Sequence, residues 1–173
     1  MKKVAAALLA ACLLLVAGCE MPGTAASALK IGQVQYAAHG TRSFAVATVV
    51  MNGEKIALAH LEEYQYLNKT DFTPVPNSDK EFGAALADPT MGLASKRKNS
   101  EAYSANMGGT QTLLASYKGI EGFVKGKTIA DLEKLLSEKS TEEMVDAVTS
   151  STLVDTKGYV EAIVAAAKAA IES

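Results

Sequence analysis

Four consecutive hydroxyl residues, Thr149, Ser150, Ser151 and Thr152, follow an acidic segment that ends at Asp146 and precede an alanine-rich run from Thr156 to Ile171. A hydroxyl on a tight turn beside a helix start is placed to carry or contact a phosphate. The first helical turn has unpaired N–H groups, and the positive end of the helix dipole favours an anion there. Asp155 is the candidate N-cap, its carboxylate able to accept from the turn that follows. The competing reading is a Ser/Thr-rich turn that only caps a helix.

Little else in the chain is built for chemistry. No Ser-His-Asp, Cys-His or metal-ligand spacing stands out, and tryptophan is absent. His39 and His60 are the two histidines, and they argue against a zinc or haem centre. His39 lies in a turn, and His60 is expected on a sheet surface. The reading is of a carrier or binding protein rather than a stand-alone enzyme.

The start of the chain gives its address. Lys2 and Lys3 precede an apolar run from Val4 to Leu15, too short for a comfortable transmembrane helix. The run ends in Val16-Ala17-Gly18-Cys19, which resembles the lipobox of bacterial lipoproteins. That resemblance implies cleavage before Cys19 and a diacylglycerol on its thiol, which holds the protein on the extracytoplasmic face, at the cell surface or the periplasmic side. Cleavage removes Cys12, so the mature chain has no internal disulfide. It also leaves 15 basic against 19 acidic residues, a net charge near −4. With Lys96-Arg97-Lys98 as its one basic cluster, the chain is a poor nucleic-acid binder.

The 173 residues suffice for one ordinary domain. Residues 1–18 read as signal peptide, 19–33 as a tether with Pro22 and Gly23, and 34–173 as the domain. Val34 to Ala38 is expected as a first strand. Ser43 to Val50 alternates, with Phe44, Val46, Thr48 and Val50 on one side and small residues on the other. Asn52-Gly53 is a hairpin signal, and Ile56 to Leu67 is the return strand, with Ile56 and Leu58 in register before His60, Glu62, Tyr64 and Tyr66. Pro74, Pro76 and Asn77 mark a loop, and Ser78 or Asp79 is expected to cap a short helix through Leu86. Leu93 to Met107 is left open between helix and strand.

Helical spacing of Leu113, Leu114, Tyr117, Ile120 and Val124 predicts a helix over 110–124. Thr128 and Asp131 form a capping pattern ahead of Ile129, Leu132, Leu135 and Leu136. Ser140 begins another short turn. The last helix carries Tyr159, Ile163, Ala166, Ala167, Ala170 and Ile171 on one side. Strands first and helices later predict an α+β domain, a small antiparallel hairpin or meander packed against several helices, with the C-terminal helix after the hydroxyl turn.

Asp146 to Thr152 resembles the flavin-attachment motif of the FMN-binding domain family, in which an aspartate is followed by two residues, Ser or Thr, Gly, Ala or Ser, and an acceptor Thr. The phrases His39-Gly-Thr-Arg-Ser-Phe44, Val75-Pro-Asn-Ser-Asp79 and Gly92-Leu-Ala-Ser-Lys-Arg97 extend the likeness to lipoproteins of this group, over about Gln33 to Ala169. The resemblance implies FMN joined by a phosphoester to Thr152 by a separate Mg-dependent flavin transferase that uses FAD. Asp146 and Thr149 would be recognition positions, and the phosphate would lie near Asp155. Tyr64, Tyr103 and Tyr159 are then candidates to stack on the ring, and Lys96 or Arg97 to stabilise its reduced anion. Against these stand ordinary roles: tyrosines of the core or rim, and a solvated lysine run. The chain departs from the family where Ser150 and Ser151 replace the usual Gly and Ala, since glycine takes positive φ at little cost. The expectation is a membrane-anchored electron carrier passing electrons between redox proteins. The alternative is a non-redox ligand-binding or surface-interaction lipoprotein that keeps the fold without flavin.

Overall fold

A computed structural model describes residues 28–38, 43–78, 80, 87–148 and 151–173. Residues 1–18, expected as a signal peptide, Cys19, His39, the segment expected as a helix before Leu86, Thr149 and Ser150 lie outside the described residues or almost wholly so. The rest is the α+β domain that the order of elements implies. Four strands, β1 (Leu29–Tyr36), β2 (Ser43–Asn52), β3 (Lys55–Asn68) and β4 (Met91–Ser95), form an antiparallel meander in sequence order. Five helices follow: α1 (Ser100–Asn106), α2 (Leu113–Val124), α3 (Ile129–Glu138), α4 (Thr141–Ala147) and α5 (Thr156–Glu172).

Three details of the sheet correct or complete the sequence reading. First, β1 begins at Leu29, so residues 29–33 belong to the sheet rather than the tether. Second, the side of β2 that faces the core is the small one. Ala45, Ala47, Val49 and Met51 are buried, while Phe44 is on the opposite face and exposed. Small residues are needed there because α5 lies almost on the strands. A Cβ at Gly32 would overlap the backbone of Ala166 and Ala170, and one at Gly158 would overlap the carbonyl of Ala38. Third, Ile56 and Leu58 do not share a face. The register shifts at Val50/Met51, so Ala57 is an extra residue and Ile56 is buried while Leu58 is exposed. The turn pair is Gly53-Glu54, with Asn52 paired to Lys55, and Gly53 takes the positive φ of 60° that its first position requires.

Beyond β4's reach, the open edge of β3 is covered piece by piece. Ile56 exchanges hydrogen bonds with Lys127 and Gly126, at 3.0 and 2.8 Å. Leu61 donates its N–H to Glu121, and its carbonyl accepts from Arg97, both at 2.8 Å. These contacts satisfy groups that would otherwise invite another strand. Asn99 ties the 69–90 connection to the end of β4, accepting from Thr73 N and donating to the Thr73 and Ser95 carbonyls. That anchor fixes where α1 begins.

Three helix starts carry side-chain caps, at Thr112, Thr128 and Ser140. Both α3 and α4 open with complete capping boxes, Thr128 with Asp131 and Ser140 with Glu143. The core lies between the inner sheet face and α5, with Tyr117, Ile120, Leu132 and Met144 filling the flanks.

Candidate functional site

Lys96 directly follows β4, and its N–H donates to the Glu63 carbonyl at 2.8 Å, extending the ladder by one residue. Facing positions on paired strands put their side chains on the same side. Glu63 and Lys96 therefore both point inward, each 1% exposed, with the ammonium 3.2 Å from Oε1. The other carboxylate oxygen, Oε2, accepts from two phenols, Tyr117 at 2.5 Å and Tyr159 at 2.6 Å. Their rings meet edge to face at 5.3 Å. Lys96 Nζ also lies 4.8 Å from the centroid of the Tyr103 ring.

Burial raises the pKa of both phenols above the ordinary value. The neighbouring Tyr159 and Glu63 add to this for Tyr117, and the Glu63 charge adds to it for Tyr159. Both tyrosines stay protonated and serve as donors to one carboxylate oxygen. Four chain segments thus meet on a charge pair enclosed in the domain.

Above this cluster opens a cleft of about 280 Å³. Lys96 and Tyr159 form part of its lining, with Tyr103 and Ser104 of α1 on one side. Gln111 and Ser116 contribute polar groups, Met107, Leu113, Leu153 and Val154 apolar ones, and Thr152 and Asp155 come from the hydroxyl turn. Gln111 Nε2 donates to Ser116 Oγ at 2.6 Å. Apolar walls with a few polar groups are the usual make-up of a small-molecule site.

The hydroxyl turn divides its labour. Ser151 is buried, its Oγ 3.0 Å from Thr156 Oγ1, and it accepts from Leu153 N. Thr156 donates to the Leu153 carbonyl at 2.6 Å. This closed set of bonds holds the turn. Thr152 is exposed on the cleft rim, with its backbone N–H directed to Ser116 Oγ at 3.4 Å. Asp155 stands at the N-cap position of α5 but makes no side-chain capping bond, contrary to the expected role.

The structure brings Thr152, Asp155, Lys96, Tyr103 and Tyr159 to one cleft. Other candidates lie elsewhere. Asp146 is exposed near the end of α4 and does not line the cleft. Tyr64 sits on the outer sheet face against Phe44, with ring centroids 5.7 Å apart. Arg97 is committed to Glu121 and Leu61. His60 is on the sheet surface, 3.6 Å from Glu121. Glu63, Gln111 and Ser116 were not singled out from sequence, and Tyr117 was read there only as one of the helically spaced residues. The one local signal was an acid in the inward set of β3, beside Ala59 and Leu61.

A larger cavity, about 630 Å³, lies at the far end of α5 between Ala28, Ile129 and Ile171. Two of its polar groups are already used: Lys30 donates to the Ile171 carbonyl and Thr128 belongs to the α3 cap. It has no converging side chains comparable to the smaller cleft. Among the described residues, no cluster of three or more His, Cys, Asp or Glu is placed to hold a metal, and no helix is long and apolar enough to cross a membrane. No family model, curated protein or solved structure matches the chain.

Proposed function

We propose that this protein is a lipid-anchored, extracytoplasmic flavoprotein that carries electrons through FMN attached to Thr152. The observation that carries this reading is the position of Thr152, exposed on the rim of a cleft lined by Lys96, Tyr103 and Tyr159. Of the two described hydroxyls in the turn, Ser151 is consumed by the fold and Thr152 is accessible to a flavin transferase.

The donor set suits the cofactor. Apolar Met107, Leu113 and Val154 can take one face of a ring, Tyr103 can lie against it, and Ser104 and Gln111 can meet its polar edge. At about 280 Å³ the cleft is just below the ~300–1,000 Å³ of sites that enclose a ligand. A ring held there would keep an exposed edge, as exchange of electrons with a partner protein requires. Bound FMN supplies the redox chemistry, and the protein supplies position and electrostatics. Cys19, through its lipid, would keep the carrier at the membrane.

The test is the intact mass of the mature protein made with and without a flavin transferase, followed by digestion. An FMN-sized increment on the peptide containing Thr152, lost in Thr152→Ala, supports the reading. No increment, with no flavin released on denaturation, leaves a non-redox binding lipoprotein. One observation favours that second reading: Lys96 is already compensated by Glu63 inside the protein, so the site is electrically complete without a ligand.

A further inference from the structure

We infer that Glu63 is a positioning residue that sets the charge of the cleft floor, and that the Glu63–Lys96 pair governs how strongly the cleft prefers the reduced, anionic form of a planar redox ring. This deepens the flavin reading and rests on the same cleft, but not on covalent attachment. Sequence pointed to Lys96 as a cation; the geometry makes it half of a pair. Its partner carboxylate is wholly buried and held by the Tyr117 and Tyr159 phenols on one oxygen and the ammonium on the other.

Burying such a pair is costly, and apolar residues of the same volume would often be no less stable. An ion pair placed at the floor of a cleft, with its ammonium against the Tyr103 ring, has a further consequence. A ring that gains negative charge in the cleft faces Lys96 through a medium where charges interact strongly. Glu63 opposes that attraction from behind. The two phenols donate to the same carboxylate oxygen and hold it in place behind Lys96. The pair acts as a set point: lysine favours the reduced ring, and glutamate moderates it.

The experiment uses the full mature protein loaded with FMN, with Glu63→Gln and Lys96→Met compared by midpoint potential. Glu63→Gln preserves shape and leaves an acceptor for both phenols. Glu63→Gln is expected to favour the reduced form at least tenfold, a rise of about 30 mV for a two-electron couple. Lys96→Met is expected to lower the potential. Unmoved potentials, or shifts of the same sign, overturn the inference while leaving the covalent reading intact. Where no covalent FMN forms, the same variants are titrated with free FMN, oxidised and chemically reduced. Preference for the reduced form that rises in Glu63→Gln upholds the inference alone, and absence of binding in either state overturns both.

Discussion

Gly32 of β1 and Ala166 of α5 meet backbone to backbone. A Cβ at Gly32 would overlap the Ala166 carbonyl and the Ala170 amide, neither of which can turn aside as a side chain could. Gly32→Ala should therefore force the helix off the sheet, at about 1–3 kcal/mol or more. Gly122 is the control. It is helical, and a Cβ there meets nothing within 4 Å. Gly122→Ala should stabilise by about 0.5–1 kcal/mol through lower backbone entropy in the unfolded chain. Chemical denaturation of both variants checks the pair, and equal effects of the two would sink the close-approach argument.

Glu121 substitutes for a neighbouring strand at Leu61. It accepts the Leu61 N–H at 2.8 Å and also orients Arg97, which donates to the Leu61 carbonyl. Glu121→Ala should cost about 1–3 kcal/mol, the penalty for leaving buried polar groups without partners. Faster amide exchange at Leu61 than at Val49, on the central strand β2, is the local signature to measure.

The Glu63 cluster makes the protein sensitive to base. Tyr117 and Tyr159 have pKa values raised above the ordinary 10.0, chiefly by burial. Above about pH 10 the unfolded chain gives up their protons and the native state keeps them, so the unfolded state binds fewer protons. Stability then falls as pH rises, by about 1.4 kcal/mol per pH unit for each tyrosine. Below pH 10 their contribution is fully present. Urea midpoints between pH 8 and 11 should show this slope, and it should be shallower in Tyr117→Phe. A flat profile over that range would contradict the protonated state of both phenols.

Much of the scaffold was legible in the chain. The capping box at Thr128 and the apolar spacing from Leu113 to Val124 rest on local chemistry that a short window contains, whereas the segment at Ser140, read as a turn, opens a helix with its own capping box. The face of β2 was not legible in the same way, because Ala45 and Ala47 read as weak core residues until α5 is known to press on them. Nor was the extra residue at Ala57, which reverses Ile56 relative to Leu58. The cleft was half legible. Hydroxyls in a turn carry their own signal, whereas Glu63 and Tyr159 are joined across 96 positions and nothing local marks them as partners. Asp146 and Tyr64 matched a pattern of types but lie on other surfaces.

Neighbouring hydroxyls in the turn should respond oppositely to the same change. Ser151 is buried against Thr156 and anchors the entry to α5, so Ser151→Ala should cost about 1–2 kcal/mol in denaturation while leaving Thr152 chemically present. Thr152 is exposed, and Thr152→Ala should leave stability within about 0.5 kcal/mol of the parent. Its effect should appear instead as complete loss of any covalent FMN. Thr152→Ser, which keeps a hydroxyl in nearly the same place, should retain part of the attachment if the chemistry requires only an accessible oxygen. The comparison separates a turn that folds from a turn that reacts. A stability loss at Thr152 equal to that at Ser151, with flavin still attached, would make the whole run a helix cap and move the acceptor elsewhere.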